Sequence, residues 1–174
     1  MDQLPRRHRL LLALPAIISA CVLSFPVFAE EIGRVDTRFR PLSPDDTIRV
    51  EAFEDPKVEG VVCYLSKAHV GGYGGALGIA EDTSDGSIEC VQVGPIEIRE
   101  RFKKGESVFR ERRSLVFKSM KVVRFCDETN NALVYLVYSE RFIDGSPKNS
   151  VSAVPIQAWE GKQPSTALCR YDAS

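Results

Sequence analysis

The chain has 174 residues and a mass of 19.4 kDa, with 23 basic residues, 24 acidic residues and 44% hydrophobic residues. This composition is typical of soluble globular proteins and excludes a disordered, collagen-like or coiled-coil chain. A net charge of −1 gives no sign of a nucleic-acid partner.

The first 29 residues are typical of an export signal. Three arginines in the first nine residues precede an uncharged stretch, residues 10–25, which is shorter than the ~20 residues of a membrane-spanning helix. Small residues at 27 and 29 predict cleavage before Glu30. The alternative is a membrane-anchored lipoprotein, because residues 18–21 resemble a lipobox in which Cys21 is lipidated.

Cleavage at this point leaves about 145 residues, which fits the usual domain size of ~100–150 residues. We therefore expect a signal peptide over 1–29, one domain over 30–160 and a C-terminal extension over 161–174. Four cysteines remain in the mature chain: Cys63, Cys90, Cys126 and Cys169. An even number in an exported chain predicts disulfides, and of the three connectivities we favour Cys63–Cys90 with Cys126–Cys169.

The mature sequence reads mainly as β-strands. Residues 47–53 alternate between apolar and polar side chains and stop at a turn signal, Asp55-Pro56. Residues 61–65 form a short apolar run that is rich in β-branched side chains, and residues 88–93 alternate again before Gly94-Pro95.

A hairpin is predicted in the second half of the chain. It joins residues 115–125 to residues 132–138 through a turn at 127–131. The second strand of this hairpin is apolar on both faces, which predicts a buried central strand. Residues 151–156 contain Pro155, which places that strand at a sheet edge or a strand end.

Helix is expected to be minor, since no long stretch of the mature chain shows a helical period. Residues 73–80 and 97–104 are the two short candidates. The pattern as a whole predicts a mainly β, antiparallel sandwich or partial barrel in one domain.

Charge is unevenly distributed along the mature chain. Residues 30–98 have a net charge of −8, residues 99–124 of +7 and residues 125–174 of −2. The basic block is a candidate patch for an anionic envelope ligand, and its residues are Arg99, Arg101, Lys103, Lys104, Arg110, Arg112 and Arg113. The simpler interpretation is that these side chains are solvated and neutralise the acidic half.

A glycine-rich and acidic segment is the strongest candidate for a binding site. Residues 71–75 contain four glycines around Tyr73, and Asp82 and Asp85 follow within an acidic stretch. The glycine spacing does not match a phosphate-binding loop, and the acidic spacing does not match an EF-hand. His69, the single histidine of the mature chain, is the one residue that could serve as the base of a hydrolase relay.

Several segments of the chain resemble the CreA family of exported proteobacterial proteins. They are EEIGRVDTRF, VEAFEDP, VVCYLSKA, GGYGGALGIAEDTSDGSIECVQVGPIEI, RRSLVFKSMKVVRF, NALVYLVYSER and GSPKNSVSAVPI. The resemblance extends from about Glu30 to Ile156. It implies that Cys63 pairs with Cys90, whereas Cys126 and Cys169 look like additions to the family pattern.

The resemblance implies a compartment and a fold class, but it transfers no catalytic residues. We therefore expect a periplasmic, disulfide-stabilised protein that acts as a non-enzymatic binding or envelope-accessory protein, with Tyr73, Asp82 and Asp85 as its ligand-binding residues. The alternative hypothesis is an envelope hydrolase that uses His69 or the carboxylates of Asp82 and Asp85. No sequence pattern indicates a metal, a cofactor or a nucleic-acid ligand.

Overall fold

β-Sheet is the main regular structure of the part of the chain that the structure describes. The computed structural model describes residues 29–39, 41–72, 86–101, 103–112, 118–141, 147–161 and 168–171. Within these ranges it contains eight strands: β1 Glu30–Arg38, β2 Asp46–Asp55, β3 Val58–His69, β4 Gly86–Ile98, β5 Glu106–Arg112, β6 Lys118–Asp127, β7 Ala132–Arg141 and β8 Asn149–Pro155. No helix in this part of the chain is both long enough and apolar enough to cross a membrane.

The strands form two four-stranded sheets. The first sheet has the order β1-β2-β3-β4 and the second has the order β5-β6-β7-β8. Every strand is antiparallel to its neighbours. Each sheet is therefore a meander of consecutive strands, and the predicted mainly β, antiparallel sandwich in one domain is confirmed.

One hydrophobic core lies between the two sheets. In β3, Val61, Cys63 and Leu65 are all buried, since alternate residues of a strand point to the same face. From the facing strands, Phe53 of β2 stacks on Phe109 of β5 with ring centroids 4.9 Å apart. The edge strand β4 also lies against β7 and β8, where the Cys90 N–H donates to the Ser152 hydroxyl over 2.8 Å.

Two predictions about strand position are confirmed. β7, whose sequence is apolar on both faces, lies inside its sheet between β6 and β8. β8 lies at the edge, and Pro155 is its last residue. The described residues also include two strands that the apolar pattern did not indicate, β1 and β5.

The prediction of a short helix at 97–104 is wrong. β4 continues to Ile98, because the buried Ile96 extends its alternating pattern. The chain then turns at Lys103, whose carbonyl accepts the Glu106 N–H at 3.2 Å. Gly105 has a φ of +70° in this turn, a conformation that glycine adopts without a steric penalty. The second helix candidate, 73–80, lies outside the described residues.

The structure contains two disulfides, with the pairing favoured above. Cys63 and Cys90 lie directly opposite each other on β3 and β4, with Cα atoms 4.0 Å apart. Cys126 on β6 is joined to Cys169 in the C-terminal segment, with Cα atoms 5.6 Å apart. The second bond fixes the C-terminal segment against the second sheet, and Cys169 is only 2% exposed.

Candidate functional site

The candidate site lies where β3 ends and β4 begins. Tyr73, Asp82 and Asp85 themselves lie outside the described residues. The structure instead describes the residues that flank them, 67–72 and 86–89, which we call the loop base. The contacts of the loop base show how each of its two parts is attached to the rest of the fold.

The first end of the segment is fixed to the start of β2 and to the chain just before it. The Gly71 N–H donates to Oδ1 of Asp46 at 2.8 Å, and the Gly72 N–H donates to the carbonyl of Pro44 at 2.8 Å. A Cβ atom on Gly71 would lie 2.0 Å from the Pro44 carbonyl oxygen, so this approach requires glycine. The glycines therefore serve here to bring two backbone segments into contact.

The second end of the segment is packed against the second sheet. Gly86 begins β4 opposite Lys67, and a Cβ atom on it would lie 2.7 Å from Cε of Met120. Met120 belongs to β6 and is 2% exposed. The glycines at the first end are thus buried, and the second end packs on the buried Met120. The disulfide between Cys63 and Cys90 joins the same two strands.

An ion triad is centred on the buried Lys67 of the loop base. The Lys67 side chain is 1% exposed, and its Nζ donates to a carboxylate oxygen of Glu51 and to one of Glu111, at 2.5 Å each. Glu51 belongs to β2 and Glu111 to β5, so the ammonium group joins the two sheets. A buried charge is tolerated when it is paired and hydrogen-bonded in this way. The triad therefore has a structural role, since it links β3 of the first sheet to β5 of the second.

A surface cavity of about 290 Å³ adjoins the loop base. It is lined by Ile48, Ser66 and Ser87 and by Lys148, the residue that precedes β8. Two hydroxyl groups, an ammonium group and an apolar side chain are the kinds of group that orient a small polar ligand.

His69, the candidate base for hydrolysis, is the last residue of β3. It pairs across the sheet with Thr47 of β2 and is half-buried. The carboxylates proposed to act with it, Asp82 and Asp85, are not among the described residues. The part of the chain that is described contains no group of three or more His, Cys, Asp or Glu side chains arranged to hold a metal ion.

Members of the basic block take part in ion pairs with acidic residues. Arg99 pairs with Glu59, and Arg110 pairs with Glu140 at 2.9 Å. Arg101, Lys103 and Lys104 are exposed in the segment between β4 and β5, whereas the side chains of Arg112 and Arg113 are not described. Arg99 and Arg110 are thus neutralised by acidic residues, as in the simpler interpretation of this block.

Sequence reasoning missed a second charged network, at the other end of the strands. Arg124 on β6 pairs with Asp55 on β2, and the Tyr135 hydroxyl donates to Oδ2 of Asp55 at 2.9 Å. Burial, followed by the nearby Asp55 charge, raises the pKa of Tyr135 well above 10.0. The sequence did contain a signal for these networks, namely a charged residue among side chains that face the core. Arg124 stands in an apolar strand, and Lys67 follows Val61, Cys63 and Leu65 at alternate positions.

Comparison with known proteins identifies the family. Residues 32–159 match the protein family described as "CreA protein". The chain belongs to the CreA family. It is 55% identical over 146 residues to "Protein CreA" of Escherichia coli strain K12, covering 82% of this chain and 93% of that protein. "Protein CreA" from the Escherichia coli strains O6:H1 and O157:H7 matches with the same identity and coverage.

The CreA match includes the whole candidate site. Its boundaries, residues 32 and 159, enclose the loop base, the segment between its two parts and the cysteine pair Cys63–Cys90. Cys169 lies outside the match. No solved structure matches the chain significantly.

Proposed function

We propose that this CreA family protein is exported to the periplasm and acts there as a non-enzymatic binding or envelope-accessory protein. The observation that carries the compartment is the pair of disulfides, which join residues 27 and 43 positions apart in the chain. Disulfides persist in oxidising compartments and are rare in the cytosol. The charge pattern of residues 1–29 supports the same compartment.

The binding role is supported by the construction of the loop base. Residues 73–85 are joined at one end to glycines hydrogen-bonded to Asp46 and Pro44, and at the other end to Gly86, which packs on Met120. Binding loops generally extend from a rigid scaffold in this manner. We therefore assign ligand contact to Tyr73, Asp82 and Asp85, in the segment that joins the two parts of the loop base.

Intact mass tests the compartment and the thiol state together. The protein is isolated separately from the periplasmic, membrane and cytoplasmic fractions of its own organism and alkylated with and without prior reduction. We expect a chain that begins at Glu30, takes up no alkyl group before reduction and takes up four afterwards. A cytoplasmic protein with reactive thiols would contradict the proposal, and a lipidated start at Cys21 would replace the soluble form by the anchored one.

Site-specific photo-crosslinking tests the binding role. A photoreactive residue replaces Tyr73 in intact cells, and the matched control replaces Thr129, an exposed residue of the β6–β7 turn at the opposite end of the strands. We expect a discrete adduct from position 73 that is absent from position 129. Adducts of equal yield at both positions, or none at position 73, would contradict a binding site in this segment.

The substitution Tyr73→Ala separates binding from stability. If Tyr73 contacts the ligand, Tyr73→Ala reduces the adduct formed from a photoreactive residue placed at Asp82, while the melting temperature stays unchanged. Equal losses of crosslinking and of melting temperature would show that Tyr73 is a structural residue.

A further inference from the structure

β1 is an edge strand that buries none of its own side chains. It is hydrogen-bonded to β2 on one side and forms the end of the first sheet. All nine of its residues are exposed, including Ile32 at 55% and Val35 at 66%. Among the described residues, no strand lies on its other side.

In a single copy of the chain, the entropy cost of ordering this strand is not offset by apolar burial of its own side chains. Fixing the backbone of one residue costs ~1–2 kcal/mol, and β1 recovers little of that cost through apolar burial. Its outer edge also presents backbone N–H and C=O groups that are available to another strand. Addition of a strand to this edge would satisfy those groups.

The sequence of β1 is complementary to itself. Arg34 lies opposite Arg49, and Asp36 lies opposite Thr47. In an antiparallel pair of β1 strands related by a two-fold axis at Val35, Arg34 of each copy faces Asp36 of the other. Opposite charges in directly facing positions stabilise an antiparallel pair.

Neighbouring registers lack this complementarity. A two-fold axis at Arg34 places two guanidinium groups opposite each other, and an axis at Asp36 places two carboxylates opposite each other, both of which are unfavourable. The axis at Val35 also brings two exposed valines together on the other face of the sheet. Each valine lies beside Ile48 of β2, which is itself 41% exposed.

We infer that the protein forms a homodimer through antiparallel pairing of β1 with β1 of a second copy. The two first sheets become one continuous eight-stranded sheet with Val35 at its centre. This assembly goes beyond the proposed binding function, since it concerns the edge of the sheet that is farthest from β4. A closed two-fold dimer of this kind also removes an edge that would otherwise promote aggregation.

Sedimentation equilibrium of the oxidised protein tests this inference with charge-reversal variants. Wild-type protein is expected to be dimeric at micromolar concentration. Arg34→Asp alone and Asp36→Arg alone each place like charges opposite each other twice, so each should weaken dimerisation at least ~10-fold. The double variant R34D/D36R restores both opposite-charge pairs and should dimerise like the wild type.

A mixture of the two single variants is the sharpest arm of the experiment. The R34D copy has two carboxylates and the D36R copy has two guanidinium groups, so they should form a heterodimer although neither forms a homodimer. Thermal melts confirm that each variant is folded, which is expected because these side chains are exposed. A monomeric wild-type protein at ~100 µM, or a dimer that both single variants leave intact, overturns the inference.

Disulfide trapping tests the register. Val35→Cys places two thiols directly opposite each other across the two-fold axis and should yield a covalent dimer on oxidation. The matched control is Thr37→Cys, since two thiols at position 37 would be offset by four residues, or ~13 Å, too far for a disulfide. Equal trapping at both positions overturns the proposed register.

Discussion

The buried carboxylate of Asp55 is the charge whose removal should cost the most stability. Its side chain is 0% exposed and pairs with the Arg124 guanidinium, which is 1% exposed. It also accepts the Tyr135 hydroxyl at 2.9 Å and the Lys57 N–H at 2.9 Å. Asp55 therefore satisfies three groups from three different strands or turns at once.

We predict that Asp55→Asn lowers the free energy of unfolding by ~3–5 kcal/mol. The substitution keeps the shape of the side chain but leaves the Arg124 cation buried without its principal partner, and breaking one side of a buried pair has a cost of this size. The remaining carboxylate near Arg124 belongs to Glu106, at 3.4 Å and 29% exposed. A small domain has only ~5–15 kcal/mol in total, so the loss should be large.

Urea unfolding with the disulfides intact measures this loss. Tyr135→Phe removes one hydrogen bond to the charged acceptor and should cost ~1.5–3 kcal/mol. The double variant with Asp55→Asn should be non-additive by at least ~0.5 kcal/mol, because the two groups share one network. Glu54→Gln, at the exposed neighbouring position, is the control and should stay within ~0.5 kcal/mol of wild type. A loss below ~1 kcal/mol for Asp55→Asn would refute the reasoning.

Three further predictions concern other positions. Because the pKa of Tyr135 is raised in the folded state, stability should be complete below pH 10.0 and fall as the pH rises above it; Tyr135→Phe should flatten this fall in alkaline unfolding curves. Gly60→Ala and Gly161→Ala both place alanine at a φ of +77°, at a cost of ~1–2 kcal/mol, but only at Gly60 would the Cβ atom meet a backbone oxygen, at 2.3 Å. Gly60→Ala should therefore cost a further ~1–3 kcal/mol in urea unfolding, and equal losses would contradict this. The hydrogen bond from Ser119, followed in effect by nearby Arg110, lowers the pKa of Glu140 below 4.5. This lowering contributes stability above pH 4.5 that is lost on acidification. Ser119→Ala should raise the Glu140 pKa in an NMR titration, and an unchanged pKa would show that the nearby cations control it.

The strands that bury an alternating row of side chains could be predicted from the sequence, and the others could not. Residues 88–93 could be predicted because Ile88 and Cys90 enter the core. Residues 47–53 also alternate, but their apolar row of Ile48, Val50 and Ala52 lies on the face opposite the buried Thr47 and Phe53, so the pattern predicted the strand and not its buried face. β1 shows no such pattern because all nine of its residues are exposed. β5 was missed because its buried residues, Val108 and Phe109, stand between charged residues and its pairing with β6 is irregular at that point.

The candidate site could be predicted only in part, for a similar reason. The glycines at 71 and 72 stood out in the sequence, but only the structure shows what they approach, namely Pro44 and Asp46. The partners of Lys67 could not be predicted, because Glu111 is 44 residues away in the chain and reaches it only after both sheets have formed. The alternating pattern of β3 shows that Lys67 faces the core, but it carries no information about which carboxylates will pair with it.

The distribution of covalent and ionic links explains why those inward-facing charges matter. Neither disulfide crosses between the sheets: Cys63–Cys90 lies within the first sheet, and Cys126–Cys169 joins the C-terminal segment to the second sheet. The sheets are aligned instead by the core and by the charged groups at its two ends. Lys67 joins β3 to β5 beside the loop base, and Arg124 joins β6 to β2 at the opposite end.

Core side chains tolerate small sliding movements. A buried ion pair resists them, because separating its partners leaves an uncompensated buried charge at a high cost. Two such pairs at opposite ends of the strands therefore fix both the offset and the rotation of one sheet relative to the other. The two parts of the loop base belong to this frame, so the proposed binding function depends on the rigidity of the frame. Reduction of the disulfides should accordingly loosen the first sheet and the C-terminal segment, while Asp55→Asn should disturb the alignment of the two sheets.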